Sequence, residues 1–382
     1  MNLPIYLDNA STTFPYKECL QFFQDNNSYY NASNLYNPAL DLKEEIEYSR
    51  EHILSLLNAK EGTIIFTSGG CEGNNTVIKN LILFNQNKDC IPHIITSQIE
   101  HHSVLNPLRQ MESLGLCEVT YLKPSKEGKI LKEMVKKALQ KNTVLISIMS
   151  ANNELGTVNP IVDIGMLAKK HNVLFHTDAT QLIGKDVCYR VIFEHADYVT
   201  FSAHKFHGPK GVGGLYVKDI NTMQPFISGG NQEFNLRAGT YNYPAIKGME
   251  IALEMSKAKE NMDETFSINF YIAQELKKRF GDNVLINGES CHIPILNFSL
   301  KNCEGEAISM QLADAQIYTS NGSACNTGSL EPSYVLKAID CPDEFIYGAI
   351  RISWDSDISM DQIDYFLDKL EEIYKSYEVK NE

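Results

Sequence analysis

The chain has 382 residues, 43% of them hydrophobic, enough for a sizeable core in two domains or in one large α/β unit with an appendage. Its 34 basic residues against 48 acidic ones leave a net charge of −14, which argues against a chain-wide polyanion-binding surface but leaves room for a local basic patch; no direct contact with nucleic acid is expected. The apolar runs are far shorter than a membrane span, and Met1-Asn2-Leu3-Pro4 does not read as the start of a signal peptide, so a cytoplasmic protein away from membranes is expected.

Ile5-Tyr6-Leu7 is a short apolar run, and Asp8 to Thr13 is a polar turn with a helix expected after Pro15. Asn31 to Pro38 reads as a polar loop. Asp41 to Leu57 then carries Leu42, Ile46, Ile53, Leu56 and Leu57 at helical spacing. The strand Thr63 to Thr67 runs into Ser68-Gly69-Gly70-Cys71, small residues ahead of a helix. Free N–H groups and the helix dipole make such a junction an anion cradle, although a plain connecting loop has the same composition.

His93 to Thr96 is a second strand, ending in Glu100-His101-His102. That pair lacks partners at zinc-like spacing, so an imidazole stacked on a flat cofactor is its better functional use, with a satisfied structural histidine as the alternative. Thr143 to Met149 leads to Asn152-Asn153-Glu154-Leu155-Gly156, and a helix follows over 163–172. Val173 to Phe175 leads to His176-Thr177-Asp178-Ala179-Thr180-Gln181. The next apolar run ends in Phe201-Ser202-Ala203-His204-Lys205. Strands and helices are thus expected to alternate from residue 63 to 217 around a mostly parallel sheet. Polar clusters follow the strands at Ser68, Glu100, Asn152, Asp178 and His204, the edge where a parallel sheet holds its ligand.

A lysine on one strand end and an acid on another are what pyridoxal phosphate (PLP) chemistry needs. The amine forms a Schiff base with the aldehyde, and the carboxylate keeps the pyridine nitrogen protonated. Ser202 and His204 flank the lysine and suit a phosphate. Helical patterns resume from Pro244 to Phe280. Strands at 295–300, 317–319 and 350–353 then alternate with helices at 304–313, 333–339 and from Met360, a smaller α/β unit expected to take in the N-terminal dozen residues. The boundaries expected are 14–255 for the large domain, and 1–13 with 256–382 for the small one.

Nine cysteines, an odd number, are widely spaced without a Cys-x-x-Cys, which argues against a disulfide framework and against structural zinc. Cys325 differs from the rest in lying in a run of small and hydroxyl residues, Ser320 to Ser329, where a thiol can move between a pocket and the surface. It is the candidate nucleophile, with an incidental loop cysteine as the alternative.

These stretches together resemble the cysteine desulfurases, a branch of the class V aminotransferase group of PLP enzymes. The similarity rests on Tyr6 to Thr13, Phe66 to Gly70, Glu100-His101-His102, Asn152 to Gly156, Asp178 to Gln181, Ser202 to Lys205, Arg237 to Thr240, and Gly322 to Cys325 with Ser329 to Leu336. The last looks like the long-loop type, whose loop here would span 320–330. The resemblance implies PLP fold type I, with a mostly parallel seven-stranded sheet in the large domain. It implies that Lys205 carries the cofactor and moves the substrate's α-proton, that Asp178 pairs with the pyridine nitrogen, and that Gln181 bonds the ring oxygen. His101 would stack on the ring. Gly70, Cys71, Ser202, Ala203 and His204 would surround the phosphate, with Thr240 reaching across from a second subunit of a homodimer. Asn153 would lie against the cofactor and, with Arg351, bind the substrate carboxylate.

The reaction implied turns L-cysteine into L-alanine and leaves a persulfide on Cys325. The sulfur passes to an acceptor protein, an iron–sulfur scaffold or a tRNA-thiolation enzyme. No resident metal is implied, though Cys325 could transiently ligate an iron–sulfur cluster. Another class V reaction, selenocysteine lysis or transamination, would share the same cofactor site, and a non-enzymatic binding protein on the same fold is a further alternative. The chain departs from the family pattern in having Cys71 where a threonine is usual, Tyr36 where a histidine is common, and no second arginine after Arg351.

Overall fold

The computed structural model describes residues 4–85, 90–185, 187–259, 262–289, 292–321 and 331–381. The strands are β1 (Ile5–Tyr6), β2 (Thr63–Thr67), β3 (His93–Ser97), β4 (Glu118–Leu122), β5 (Thr143–Ser147), β6 (Leu174–Asp178), β7 (Tyr198–Ser202), β8 (Gly213–Val217), β9 (Val284–Asn287), β10 (Ile295–Leu300), β11 (Ile317–Tyr318) and β12 (Ala349–Ser353). The helices are α1 (Lys17–Leu20), α2 (Asn37–Leu56), α3 (Gly70–Phe84), α4 (His102–Ser113), α5 (Lys132–Ala138), α6 (Ile161–Lys170), α7 (Ile192–His195), α8 (Tyr243–Lys259), α9 (Met262–Phe280), α10 (Gly305–Asp314), α11 (Tyr334–Ala338), α12 (Asp343–Ile346) and α13 (Met360–Asn381). Among the described residues, no helix is long and apolar enough to cross a membrane.

Seven strands form one sheet in the order β2-β8-β7-β6-β5-β3-β4. Side chains alternate between its faces, as a pleated strand requires. Ile64, Ile95, Ile146, Val199 and Tyr216 point into one core, packed by Ile46 and Ile53 of α2, Ile164 of α6 and Met249 of α8. Ile65, Ile94, Leu145, Tyr198 and Leu215 point into the other, packed by Val77 and Leu81 of α3 and by Val104 and Leu108 of α4. Burial on both faces explains why these strands read as unbroken apolar runs.

The expected strand–helix alternation holds as far as β7 and fails at β8, which runs antiparallel to both of its neighbours. Residues 203–212 separate β7 from β8, too few for a crossover helix, so the chain can only turn back. The helix expected from Asp41 starts four residues earlier, at Asn37, with Pro38 in its first turn, where the missing N–H costs nothing. Strands β4 and β9 and helix α5 were not anticipated. β4 is a half-exposed edge strand whose sequence, Glu118 to Leu122, carries no strong apolar run.

A second layer is built from β12-β10-β9, all antiparallel, and from the parallel pair β1-β11. Ile5 and Leu7 of the N-terminal run pack with Ile272, Phe298, Ile317, Ile352 and Phe366 in a separate core. Ser353 donates its N–H to Leu7 O, and Asn9 donates its own to Ser353 O, so the first residues are stitched to β12.

The approach of α3 to β7 is set by Gly73. A Cβ there would lie 2.7 Å from Thr200 Cγ2, and Thr200 is held by a 3.1 Å hydrogen bond between its Oγ1 and His176 Nε2. Gly73→Ala therefore gains about 1 kcal/mol of helix propensity but forces overpacking that costs about 1–3 kcal/mol. We expect a net loss in urea unfolding with an unchanged m-value, and a partial recovery when Thr200→Ser is added.

Candidate active site

Because β2, β3, β5, β6 and β7 run in one direction, the residues after them emerge at one edge. They open on a cavity of about 410 Å³. Gly70 and Cys71 line it after β2, His101 after β3, and Asn153 after β5. Asp178 and Gln181 line it at and after β6, and Ser202, His204 and Lys205 at the end of β7. Ala10 and Ser11 from the N-terminal turn, Tyr334 of α11 and Arg351 of β12 complete the wall.

Lys205 ends a single 3-10 turn, Ala203–Lys205. Gly208 backs that turn closely, since a Cβ on it would meet Ala203 Cβ at 2.7 Å. The Lys205 amine donates to Ala10 O and Ser11 O, each at 2.7 Å. Asp178 is 5% exposed. Its Oδ1 accepts from the Thr180 N–H at 3.0 Å, and its Oδ2 from Asn74 Nδ2 at 2.7 Å. A buried carboxylate needs such donors.

Asn74 was not singled out in the sequence, yet it links the acid to the imidazole. Its amide also donates to Ser103 Oγ at 2.8 Å, and Ser103 Oγ lies 2.7 Å from His101 Nδ1. The Ser103 N–H donates to the same Nδ1 at 3.1 Å, which makes His101 the N-cap of α4. With Ser103 Oγ already accepting from Asn74, its proton is free to point at Nδ1. Nδ1 is then an acceptor, and neutral His101 carries its proton on Nε2. Burial lowers the His101 pKa, against the opposing pull of Asp178.

His176 forms a neutral strut beneath Asp178. It lies 2.8 Å from Ser147 Oγ on β5 and 3.1 Å from Thr200 Oγ1 on β7, and burial brings its pKa down to about 4. His204 is also driven to about 4, first by burial and then by Lys205, Lys210 and Lys185. Lys185 donates to Gln181 Oε1 at 2.5 Å, while Gln181 Nε2 donates to Ala10 O at 2.8 Å, so both ends of the Gln181 amide are assigned. Enclosure of the Lys185 amine, with Lys205 and Arg351 near it, holds its pKa well below the ordinary lysine value.

Arg351 is 3% exposed and carries much of the wall. Its Nη2 donates to Asp8 Oδ1 at 2.7 Å and Ser11 Oγ at 2.8 Å, and its Nη1 to Asn153 O at 2.8 Å. Arg351 Nε, Asn153 Oδ1 and Thr180 Oγ1 are buried without a partner among the described residues. Leaving such atoms unmatched costs about 1–3 kcal/mol each, so a cavity lined by their residues suits a polar ligand. Glu154 and Glu100 are enclosed acids at its rim and behind it. Burial pushes Glu154 up to about 7, with Ser333 Oγ donating to it at 2.6 Å. Burial pushes Glu100 up to about 8, with donors at Ser97 Oγ and Met149 N.

Of the residues singled out in the sequence, Gly70, Cys71, His101, Asn153, Asp178, Gln181, Ser202, His204, Lys205 and Arg351 meet at this cavity. Ala203 is buried behind the wall and Thr240 is exposed away from it. Cys325 lies outside the described residues. Asn74, Ser103 and Lys185 touch these residues through side-chain hydrogen bonds and no local pattern marks them, while Asp8, within the stretch Tyr6 to Thr13 read from the sequence, pairs with Arg351. Among the described residues, no group of three or more His, Cys, Asp and Glu side chains is placed to hold a metal ion.

The class-V aminotransferase family profile matches residues 5–366. A curated relative, "Cysteine desulfurase IscS" of Dictyoglomus turgidum, is 42% identical over 98% of this chain and 95% of its own length. Another of that name, from Methanosarcina thermophila, is 37% identical over 97% and 92%. Among solved structures, "NIFS-LIKE PROTEIN" superposes with a TM-score of 0.86 at 31% identity, covering 98% of this chain and 100% of that one. "SspA in complex with cysteine" gives 0.76 at 33% identity, covering 91% and 98%.

Two outcomes are expected from the site's wiring. Asn74→Ala removes the donor shared by Asp178 and Ser103 and should cost about 1–3 kcal/mol in urea unfolding, with His101 titrating differently by NMR. Glu154 and Glu100 hold their protons more tightly folded than unfolded. Their contribution is complete below the unfolded value of 4.5 and is lost as the pH rises through about 7 and 8. The melting temperature should therefore fall between pH 5 and pH 8, and less so in Glu154→Gln.

Proposed function

The chain belongs to the class-V aminotransferase family and, within it, to the cysteine desulfurases, and from that premise we propose how its own residues divide the work on L-cysteine. It is a PLP-dependent enzyme that takes sulfur from cysteine and leaves alanine. The observation that carries the division of roles is that Lys205, Asp178 and His101 line one cavity whose residues also hold unmatched polar atoms.

Bound in this cavity, pyridoxal phosphate supplies an aldehyde for a primary amine and a protonated pyridine that absorbs charge from the substrate's α-carbon. Lys205 is the amine that holds the cofactor and then moves the proton at that carbon. Asp178, kept in place by Asn74 and the Thr180 N–H, would face the pyridine nitrogen and keep it protonated. Gln181, fixed by Lys185, offers its amide to the ring oxygen. His101, on the cavity wall, would stack on the ring and offer its Nε2 proton. Gly70, Cys71, Ser202, Ala203 and His204 surround the phosphate, His204 as a neutral donor. Thr240, exposed in the single chain, serves the phosphate of a second copy in a homodimer.

Arg351 and Asn153 hold the substrate carboxylate. Arg351 has five N–H donors, of which three are used in the bonds to Asp8, Ser11 and Asn153. The Cys325 thiolate attacks the sulfur of cysteine. A sulfur–sulfur bond forms, the carbon–sulfur bond breaks with its electron pair left on the substrate's β-carbon, and protonation there completes alanine. The persulfide leaves on an acceptor protein, of the iron–sulfur scaffold or tRNA-thiolation kind. A reducing cytoplasm suits the six cysteines whose side chains are described, none of which forms a disulfide. The division into 14–255 and 1–13 with 256–382 is supported by the pairing of β1 with β11 and the separate core around Ile5 and Leu7.

Lys205→Ala should lose the visible absorption of the loaded protein, and borohydride should no longer leave the cofactor's mass on this peptide. Cys325→Ala should keep that absorption and lose persulfide formation by about a thousandfold or more, the scale of a lost nucleophile. Desulfuration of cysteine at the normal rate by that variant would remove Cys325 from the scheme. Alanine assays with cysteine, selenocysteine and keto acids separate desulfuration from selenocysteine lysis and transamination.

A further inference from the structure

Cys71 is exposed in the first turn of α3, on the wall of the cavity. Two neighbours on that wall point to a ligand. Ser202 is 3% exposed, lines the same cavity, and makes no side-chain hydrogen bond among the described residues. Thr180 Oγ1 is buried without a partner and lies 3.1 Å from the place a Cβ on Gly70 would take. A polar group entering between these hydroxyls passes directly beside the residue 71 turn.

That turn has no room to retreat. Behind it, Gly73 already sits against Thr200. Glu72 fastens its outer side, with Oε2 accepting from the Ser68 N–H at 2.8 Å and Oε1 from Arg237 Nε at 2.9 Å. A substituent added to the sulfur of Cys71, which lines the cavity, therefore crowds that wall. A threonine at this position would have no such chemistry, since a hydroxyl does not exchange with disulfides.

We propose that Cys71 is a modification site for low-molecular-weight disulfides, and that thiolation of Cys71 and seating of the cofactor's phosphate exclude one another. The inference rests on the cofactor reading given above. In the modification, the Cys71 thiol gives its proton to solvent and its thiolate attacks one sulfur of the disulfide. A bond forms between Cys71 Sγ and that sulfur, and the second sulfur leaves as a thiolate. Cys71 is oxidised and the small disulfide is reduced by the same two electrons, and excess thiol reverses the exchange. Protein made under oxidising conditions would then be full-length, folded and unable to load, while protein already loaded would be protected.

The test treats the full chain with hydroxyethyl disulfide, with and without pyridoxal phosphate, and follows each cysteine by peptide mass spectrometry. Cys90, exposed but no part of the cavity wall, is the internal control. With the cofactor at about 100 times its Kd, thiolation of Cys71 should slow about 100-fold, with Cys90 unchanged. By reciprocity, thiolated protein should fail to take up cofactor until dithiothreitol is added. In Cys71→Ser, treatment should change uptake no further, whatever that variant's own affinity. Equal thiolation of Cys71 in protein that demonstrably holds the cofactor overturns the proposal, as does undiminished uptake after thiolation. Untreated protein that takes up no cofactor overturns the reading of the cavity itself, and the untreated arm distinguishes that failure.

Discussion

A carboxyl group withdrawn from water must have its oxygens answered by donors, and the arrangement around Asp178 follows from that requirement. One oxygen takes the Thr180 N–H from the turn leaving β6, and the other takes the Asn74 amide from within α3. Asn74 reaches it because Gly73 lets α3 lie against β7. Having one amide hydrogen left, Asn74 gives it to Ser103, and Ser103 orients His101. Acid, helix contact and imidazole are thus one connected network, in which each member limits the geometry of the next.

A second convergence lies on the short turn from Asp8 to Thr13. Its carbonyls at Ala10 and Ser11 receive the Lys205 amine, and Ala10 O also receives Gln181. Asp8 pairs with Arg351, while Thr12 meets His204 Nδ1 and Thr13 donates to His204 O. This turn belongs by pairing to the small sheets and by contact to the large one. It positions the amine from one side while Asp178 is positioned from the other.

Much of this was legible in the residues themselves. Apolar runs ending abruptly in polar chemistry marked β2, β3, β5, β6 and β7, and the common direction of those strands turned five separate clusters into one edge. Lys205, Asp178 and His101 were readable because each sits within a few residues of a strand end. Asn74 was not, because it lies inside an ordinary helical turn and acquires meaning only through a contact 104 residues away in sequence. The same holds for the pairing of Asp8 with Arg351, 343 residues apart, although the resemblance named Arg351 itself. The reversal at β8 was missed because nothing in the residues Gly213 to Val217 states a direction. Its direction is set by the length of the connection, not by the strand.

The stitching of Leu7 and Asn9 to Ser353 has a consequence for biosynthesis. A chain emerging from the ribosome can form β2 to β8 early, since their contacts are with one another. The opening turn, however, has its full set of partners only once the segment around Ala349–Ser353 has cleared the exit tunnel. The niche for the amine at 205 would then stay unfinished through most of translation, and loading would be an event of the released polypeptide.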